Sequence, residues 1–168
     1  MDNDKESVFL KLVHQHKGIL HKVSKMYADL PENREDLQQE IIIQLWKSFS
    51  LFESKSEFST WMYRVAINTA ITYFRKEKKR TRTFAPELST DTADEIYDAG
   101  RDEQLEIFYQ AIQLLGPIEK ALMFYYMEGL SHKETALQLG ISEINVRVKL
   151  SRTKEKLQNL IKKQSHGF

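Results

Sequence analysis

This chain has no cysteine, which excludes a disulfide framework and thiolate metal sites and fits a reducing compartment. Proline and glycine are scarce, at three and six of 168 residues, and strand-like alternation is nearly absent, so helix is expected almost throughout. No apolar run approaches the roughly 20 residues needed to span a bilayer, and the N-terminal MDNDKESVF has no signal-peptide pattern, so a cytoplasmic protein is the simplest expectation. There is no phosphate-cradling glycine loop and no nucleophile elbow. His14, His16 and His21 lie near one another but lack the i, i+4 spacing and carboxylate companion of a metal site. Neither an enzyme, a cofactor or metal, nor a small-molecule substrate is therefore expected.

Net charge is also lacking, at +1, but the distribution of charge is informative. Arg75, Lys76, Lys78, Lys79, Arg80 and Arg82 form a basic run. An acidic stretch follows, with Glu87, Asp91, Asp94, Glu95, Asp98 and Asp102 opposed only by Arg101, and beyond Ser131 the balance returns to positive. Two basic zones around an acidic middle offer a polyanion two attachment points. The hydrophobic fraction, 41%, supports a real core.

The pattern reads as an all-α protein of two small helical domains, residues 7–80 and 102–163, joined by an acidic linker at 81–101 that contains Pro86 and Ser/Thr clusters. In the first block Val8, Leu12, Ile19, Leu20 and Val23 are available for a core, and Pro31 interrupts the helix, with Asn33 able to cap the next one. That next helix, about 34–49, buries Leu37, Ile41, Leu45 and Phe49. Its other face carries Asp36, Gln39, Glu40, Ile43, Gln44 and Lys47 as one stripe, where an isoleucine among polar residues suggests either a protein partner or a solvated face. After the loop at 50–57, a helix over 58–79 has a core line of Phe58, Trp61, Met62, Val65, Ala66 and Thr69. A second line holds Arg64, Asn68, Ile71 and Arg75 at i, i+4, i+7 and i+11. Aromatics among these cations, such as Tyr63 and Tyr73, suit unpaired bases, whereas Trp61 and Phe74 read better as core.

The second block opens with a stripe of Leu105, Phe108, Ile112 and Leu115, followed by a strongly apolar helix over 118–127. Ser131 to Lys156 then carries the most specific local signal. Ser131 and Glu134 form a capping box, Gly140 ends the helix in a left-handed cap, Ile141 fills the corner and Ser142 caps the next helix. In that second helix Val146, Leu150 and Leu157 keep an apolar line, while Asn145, Val148, Lys149, Arg152 and Lys156 share another face. A face of amide and basic side chains suits the DNA major groove, since Arg and Lys pair with guanine edges or phosphates and Asn with adenine. The same pattern also occurs as a solvated hairpin.

Three segments resemble, in order, parts of a bacterial RNA polymerase sigma factor of the extracytoplasmic-function type, and the resemblance covers nearly the whole chain. EDLQQEIIIQLWKSF is similar to the helix that grips core polymerase, FSTWMYRVAINTAITYFRK to the promoter-melting helix, and LGPIEKALMFYYMEGLSHKETALQLGISEINVRVKLSRTKEKL to the domain that reads the −35 element. The resemblance implies a C-terminal helix-turn-helix of the winged-helix-like, sigma-4 type. It implies core-polymerase contacts at Asp36, Gln39, Glu40, Ile43, Gln44 and Lys47. It implies −10 contacts at the base-capture loop with Phe52, Glu53, Ser54 and Lys55, and along Arg64, Asn68, Ile71, Arg75 and Lys79. The −35 contacts would come from Ser142, Asn145, Arg147, Val148, Lys149, Arg152 and Lys156. Asn145 and Val148 stand where small hydroxyl residues are common, and Thr135 replaces a usual aliphatic, so the promoter sequence does not carry over from the family. The implied partners are core RNA polymerase, promoter DNA and a cognate anti-sigma factor, often membrane-borne. Two other readings stay open: a stand-alone helix-turn-helix regulator, which would bind palindromic half-sites as a dimer, and a helical adaptor that binds protein only.

Overall fold

The computed structural model describes residues 2–83 and 103–166, and among the described residues there are eight α-helices and no strand. The helix-turn-helix therefore carries no wing within those residues. The first block contains α1 (Asp2–Gln15), α2 (Lys17–Tyr27), α3 (Pro31–Ser48), a 3-10 turn at Phe49–Leu51, and α4 (Phe58–Thr83). The second contains α5 (Glu103–Gln113), α6 (Pro117–Met127), α7 (His132–Leu139) and α8 (Glu143–Ser165). Helix α4 extends through residues 81–83, which the sequence pattern places in the linker. The remainder of the expected linker, 84–101, lies outside the described residues.

In the first block α2, α3 and α4 pack around Val23, Leu37, Ile41, Leu45, Met62, Ala66 and Ile67. One core expectation and one helix boundary need correction here. Val8 is 53% exposed and its neighbour Phe9 takes the inward position, edge-on to Trp46 and Phe49 at 5.0 and 5.1 Å. A one-residue change of register turns a helical side chain by about 100°, so the aromatic with more area to bury wins the core. Pro31 begins α3 rather than separating it from its start: Leu30 is the N-cap and Pro31 occupies the first turn, where its missing N–H costs no hydrogen bond. Asn33 is thus inside the helix and is not its cap.

The second core is made by α5, α6, α7 and α8 around Ala111, Ile112, Leu122, Phe124, Val146, Leu150 and Leu157. Leu105 stays largely exposed at the outer end of α5, outside the stripe expected of it. The local chemistry of the helix-turn-helix appears as the sequence requires. Ser131 Oγ accepts from the Glu134 amide at 3.1 Å, and the Glu134 carboxylate accepts from the Ser131 amide at 2.7 Å. That second bond holds the Glu134 carboxyl below its ordinary value. Gly140 has φ +67°, a conformation a Cβ disfavours, and its amide donates to Ala136 O at 2.9 Å. Ser131→Ala is expected to cost about 0.5–2 kcal/mol of stability, read as a lower denaturation midpoint at unchanged slope.

The two blocks touch. Helices α2 and α4 lie against α6, and α2 also meets α5. At the centre of this contact Lys120 of α6 is fully buried. Its ammonium donates to Met26 O at 2.8 Å, Ile112 O at 3.0 Å and Gln113 Oε1 at 3.3 Å, and lies over the rings of Phe74 and Tyr27. Phe74 is packed against the core, as its sequence position suggests, meeting Tyr27 of the first block edge-on and lying under Lys120 of the second. Burial pushes the Lys120 ammonium down to about 8, with Asp29 acting in the opposite direction.

A cation whose value is lowered on burial carries its full penalty below that value and loses it as pH rises toward the ordinary value of 10.5. The contact is thus expected to tighten from about pH 8 upward. Burial raises the Tyr27 and Tyr125 hydroxyls, whose ionisation in the separated state opposes the gain above their ordinary 10.0. A scan of inter-block distance from pH 7 to 10 checks this, and Lys120→Met should flatten it.

Candidate nucleic-acid interface

Helix α8 owes its position to its apolar line. Val146, Leu150 and Leu157 are buried against α5, α6 and α7, which turns the opposite face outward. Asn145, Arg147, Val148, Lys149, Arg152 and Lys156 are all exposed on it. Ser142 Oγ accepts from the Asn145 amide at 3.1 Å, so its side chain starts the helix. Arg147 pairs with Glu143 one turn back at 3.5 Å. Lys156 is tied to α6, donating to Glu119 at 2.8 Å, and the same carboxylate accepts from the Gly116 amide at 2.7 Å. Burial works against the Glu119 charge, but the Lys156 and Gly116 donors outweigh it and hold the carboxyl below its ordinary value. This brace ties α8 to the start of α6 and takes part of the Lys156 charge out of play.

In the first block, an aromatic cluster underlies the loop at 52–57. Phe52 stacks parallel to Phe49 at 6.4 Å and sits 5.1 Å from Trp61 and 5.7 Å from Phe58. Phe52 is thus half-buried and anchors the loop from below, while Glu53, Ser54 and Lys55 stay exposed above it. Glu53 and Lys55 form an ion pair. Ser54 has φ +55°, a left-handed conformation that L-residues adopt at a cost. The aromatic cluster thus fixes the base of the loop, and Ser54 turns its exposed tip.

Along α4, Arg64, Asn68, Arg75 and Lys79 are exposed and continue the line away from the loop. Ile71 does not belong to it: the side chain is only 7% exposed and packs into the core, so its expected DNA contact is corrected. The i+7 position drifts off the polar face because 3.6 residues per turn do not divide the spacing evenly, and the apolar side chain follows the inward drift.

On α3, Asp36, Gln39, Ile43 and Lys47 are exposed, while Glu40 and Gln44 are half-buried and joined by a hydrogen bond of 2.8 Å. Residue spacing alone missed Trp46, which is 42% exposed one turn from Ile43, itself 46% exposed. The available signal was an indole three residues after an isoleucine on a mostly polar face. Also missed were Glu128 and Lys120, which join the two blocks; Tyr63, read from the sequence as an aromatic for unpaired bases, instead reaches Glu128 and Phe124 of the second block. Lys120 left a trace as a lone cation in the apolar run IEKALMFYYM.

The family model for Sigma-70 region 2 matches residues 12–80, and that for Sigma-70, region 4 matches residues 105–157. Among curated proteins, the chain is 24% identical over 158 residues to the ECF RNA polymerase sigma factor SigM of Mycobacterium tuberculosis, covering 91% of this chain and 76% of that one. It is 25% identical over 163 residues to the ECF RNA polymerase sigma-E factor of Escherichia coli, covering 84% and 81%. The chain belongs to the extracytoplasmic-function sigma factors of the sigma-70 family. That family is not a class of enzymes. Among solved structures, the sigma factor RpoE of Bartonella quintana, in complex with the anti-sigma factor NepR, shares the fold of this sigma factor with a TM-score of 0.70. The identity there is 20%, and the match covers 96% of this chain and 98% of that chain. No helix among the described residues is long and apolar enough to cross a membrane, and none of their His, Asp or Glu groups cluster as a metal site.

Proposed function

We propose that this sigma factor binds core RNA polymerase, directs it to specific promoters and helps melt the −10 region to start transcription, the polymerase itself supplying the chemistry. The observation that carries the reading is the presence of regions 2 and 4 in order on one chain, each presenting an exposed polar face on a buried scaffold. Region 2 comprises residues 7–80, and region 4 residues 102–163. Asp36, Gln39, Glu40, Ile43, Gln44 and Lys47 contact core polymerase, with Trp46 added as an apolar anchor beside Ile43. The loop carrying Glu53, Ser54 and Lys55, seated on Phe52, takes up an unstacked −10 base, and Arg64, Asn68, Arg75 and Lys79 follow the strand. Capture of the base offsets an unstacking cost of a few kcal/mol.

Helix α8 enters the −35 major groove. Asn145, Lys149 and Arg152 address the base edges, and Val148 a thymine methyl. Arg147 and Lys156 address phosphates, and Ser142 sets the start of the helix. Each contact set is small, so core polymerase makes the second intramolecular by fixing the distance between the two regions. The partners are core polymerase, promoter DNA and an anti-sigma factor; RpoE and CnrH, both similar in fold, were solved in complex with NepR and with the cytosolic domain of CnrY. The place of action is the cytoplasm, where promoter DNA and core polymerase meet.

A stand-alone regulator is not favoured, because region 2 occupies the block that such a regulator would need for sensing or dimerisation. The test is reconstituted transcription and strand opening on upstream DNA from the source genome, with core polymerase alone and with the protein added. Initiation only with both present supports the reading. Tight, specific binding without polymerase, and no polymerase-dependent opening, would overturn it.

A further inference from the structure

Helix α8 carries two aliphatic side chains at its crest. Ile144 and Val148 each stand two residues from the fully buried Val146, and two residues turn a helical side chain by about 200°. Both therefore point away from the core, Ile144 75% exposed and Val148 43% exposed. Asn145 and Arg147, one residue from Val146, stand on the flanks instead. Ile144 lies in the first turn of the helix, just inside the Ser142 cap, and Val148 lies one turn further on. The Arg147 guanidinium is held one turn back by Glu143 at 3.5 Å, and the aliphatic pair stays uncovered.

A single exposed aliphatic residue needs no explanation. Two of them at i and i+4, on the crest of the helix proposed to enter the groove, stand where base edges are met. The N-terminal residues of such a helix are the ones that contact base edges. In the major groove the apolar mark on a base is the thymine 5-methyl group. A bare aliphatic surface pressed against amino or carbonyl groups strips them of water and returns no hydrogen bond, so it disfavours the other bases. Valine and isoleucine also hold one χ1 rotamer in a helix, so docking them orders little that is not already ordered. Four residues at a rise of about 1.5 Å set the two side chains about 6 Å apart along the helix, close to two base steps of about 3.4 Å.

We infer that Ile144 and Val148 form a methyl-reading pair, which selects thymine at two positions of the −35 element about two base steps apart. The inference rests on the function proposed above and adds Ile144 to it as a specificity-determining residue. The pair senses the 5-methyl group and makes no hydrogen bond to the base that bears it. A 5-methylcytosine at either position therefore supplies the group that thymine does. Asn145, Lys149 and Arg152 act beside the pair through hydrogen bonds and charge, so the two kinds of reading are separable by chemistry.

The test uses holoenzyme assembled from core polymerase and the full chain, which selects bound duplexes from a randomised pool. The wild-type chain should recover two thymines about two base steps apart in the upstream element. Ile144→Ala should lose the preference at one of them and Val148→Ala at the other, while Ile144→Val, which keeps the branched methyl groups, should retain both. Ile144 is exposed, so its truncation should leave the denaturation midpoint in place and keep a folding defect out of the result. On the recovered duplex, deoxyuridine in place of the thymine that Ile144 reads removes one methyl group and no hydrogen bond. Wild-type binding should weaken by about fourfold, the effect of one methyl-sized group left unburied. Binding by Ile144→Ala should not change. At the same position 5-methylcytosine should bind the wild-type holoenzyme more tightly than cytosine by a similar factor.

Equal wild-type binding to the thymine and deoxyuridine duplexes would overturn the methyl-reading pair, as would an Ile144→Ala chain that keeps the full thymine preference. An Ile144→Ala chain with weaker polymerase binding and intact sequence preference would assign the residue to a protein contact and overturn the pair as well. A wild-type holoenzyme that recovers no upstream sequence would instead sink the function reading, and the pair with it.

Discussion

Reversing both Lys149 and Arg152 to glutamate should reduce initiation at a promoter that depends on its −35 element by on the order of 10²–10³-fold near physiological salt. Both side chains are exposed on the outer face of α8, while the buried Val146, Leu150 and Leu157 hold that helix in place, so the substitution leaves the fold intact. A well-placed contact to a base edge discriminates by about 1–3 kcal/mol, and two lost contacts multiply. The reversal also sets two carboxylates against a phosphate backbone, which adds repulsion to the loss. Polymerase affinity should be unchanged, because the α3 face lies on the other block.

The neighbouring cations carry a different signature: truncating Arg147 or Lys156, which address phosphates, should lower the slope of log K against log salt by about one each. Titrating the holoenzyme onto duplex −35 DNA at several salt concentrations measures both quantities. Full initiation by the double variant would remove α8 from promoter reading.

The second large effect separates two isoleucines two positions apart on α3. Ile41→Ala should destabilise the protein by about 2–5 kcal/mol, since the side chain is fully buried between α2, α3 and α4 and its removal leaves a cavity. Against a total stability of roughly 5–15 kcal/mol, that is a large share. Ile43→Ala should change stability by no more than about 0.5 kcal/mol, because nearly half of that side chain is already in water. It should instead weaken polymerase binding by about 1 kcal/mol or more, roughly five- to tenfold, as truncation of an apolar anchor does. Denaturant unfolding and a polymerase pull-down titration, run on both variants, read the two effects independently. An Ile43→Ala chain that binds polymerase at wild-type affinity would exclude that face as the docking surface.

How much was legible depended on the range of the interaction. The turn at Ser131–Ser142 was readable because its determinants act within four residues: a hydroxyl reaches an amide three positions on, and a glycine takes the one conformation the corner needs. The exposed line on α8 was readable because helical period alone sorts it from Val146 and Leu150. Register at the start of the chain was less determined: Val8 and Phe9 are both apolar, and only the presence of Trp46 and Phe49 decides which turns inward. Ile71 was misplaced for the same reason, as a line of residues on a cylinder does not say where the neighbouring helices stop covering it.

Composition, spacing and caps thus determined by themselves an all-helical chain with two blocks, a basic reading helix and a polar face on α3. These properties are local: they follow from helical period, backbone capping and the sign of charge. Only the tertiary structure decided how the blocks meet. Lys120 with Met26, Tyr63 with Glu128 and Arg64 with Leu137 are separated by 94, 65 and 73 residues. No periodicity links positions so far apart, and a lysine in an apolar helix reads as a misfit until the carbonyls that receive it are brought there by folding.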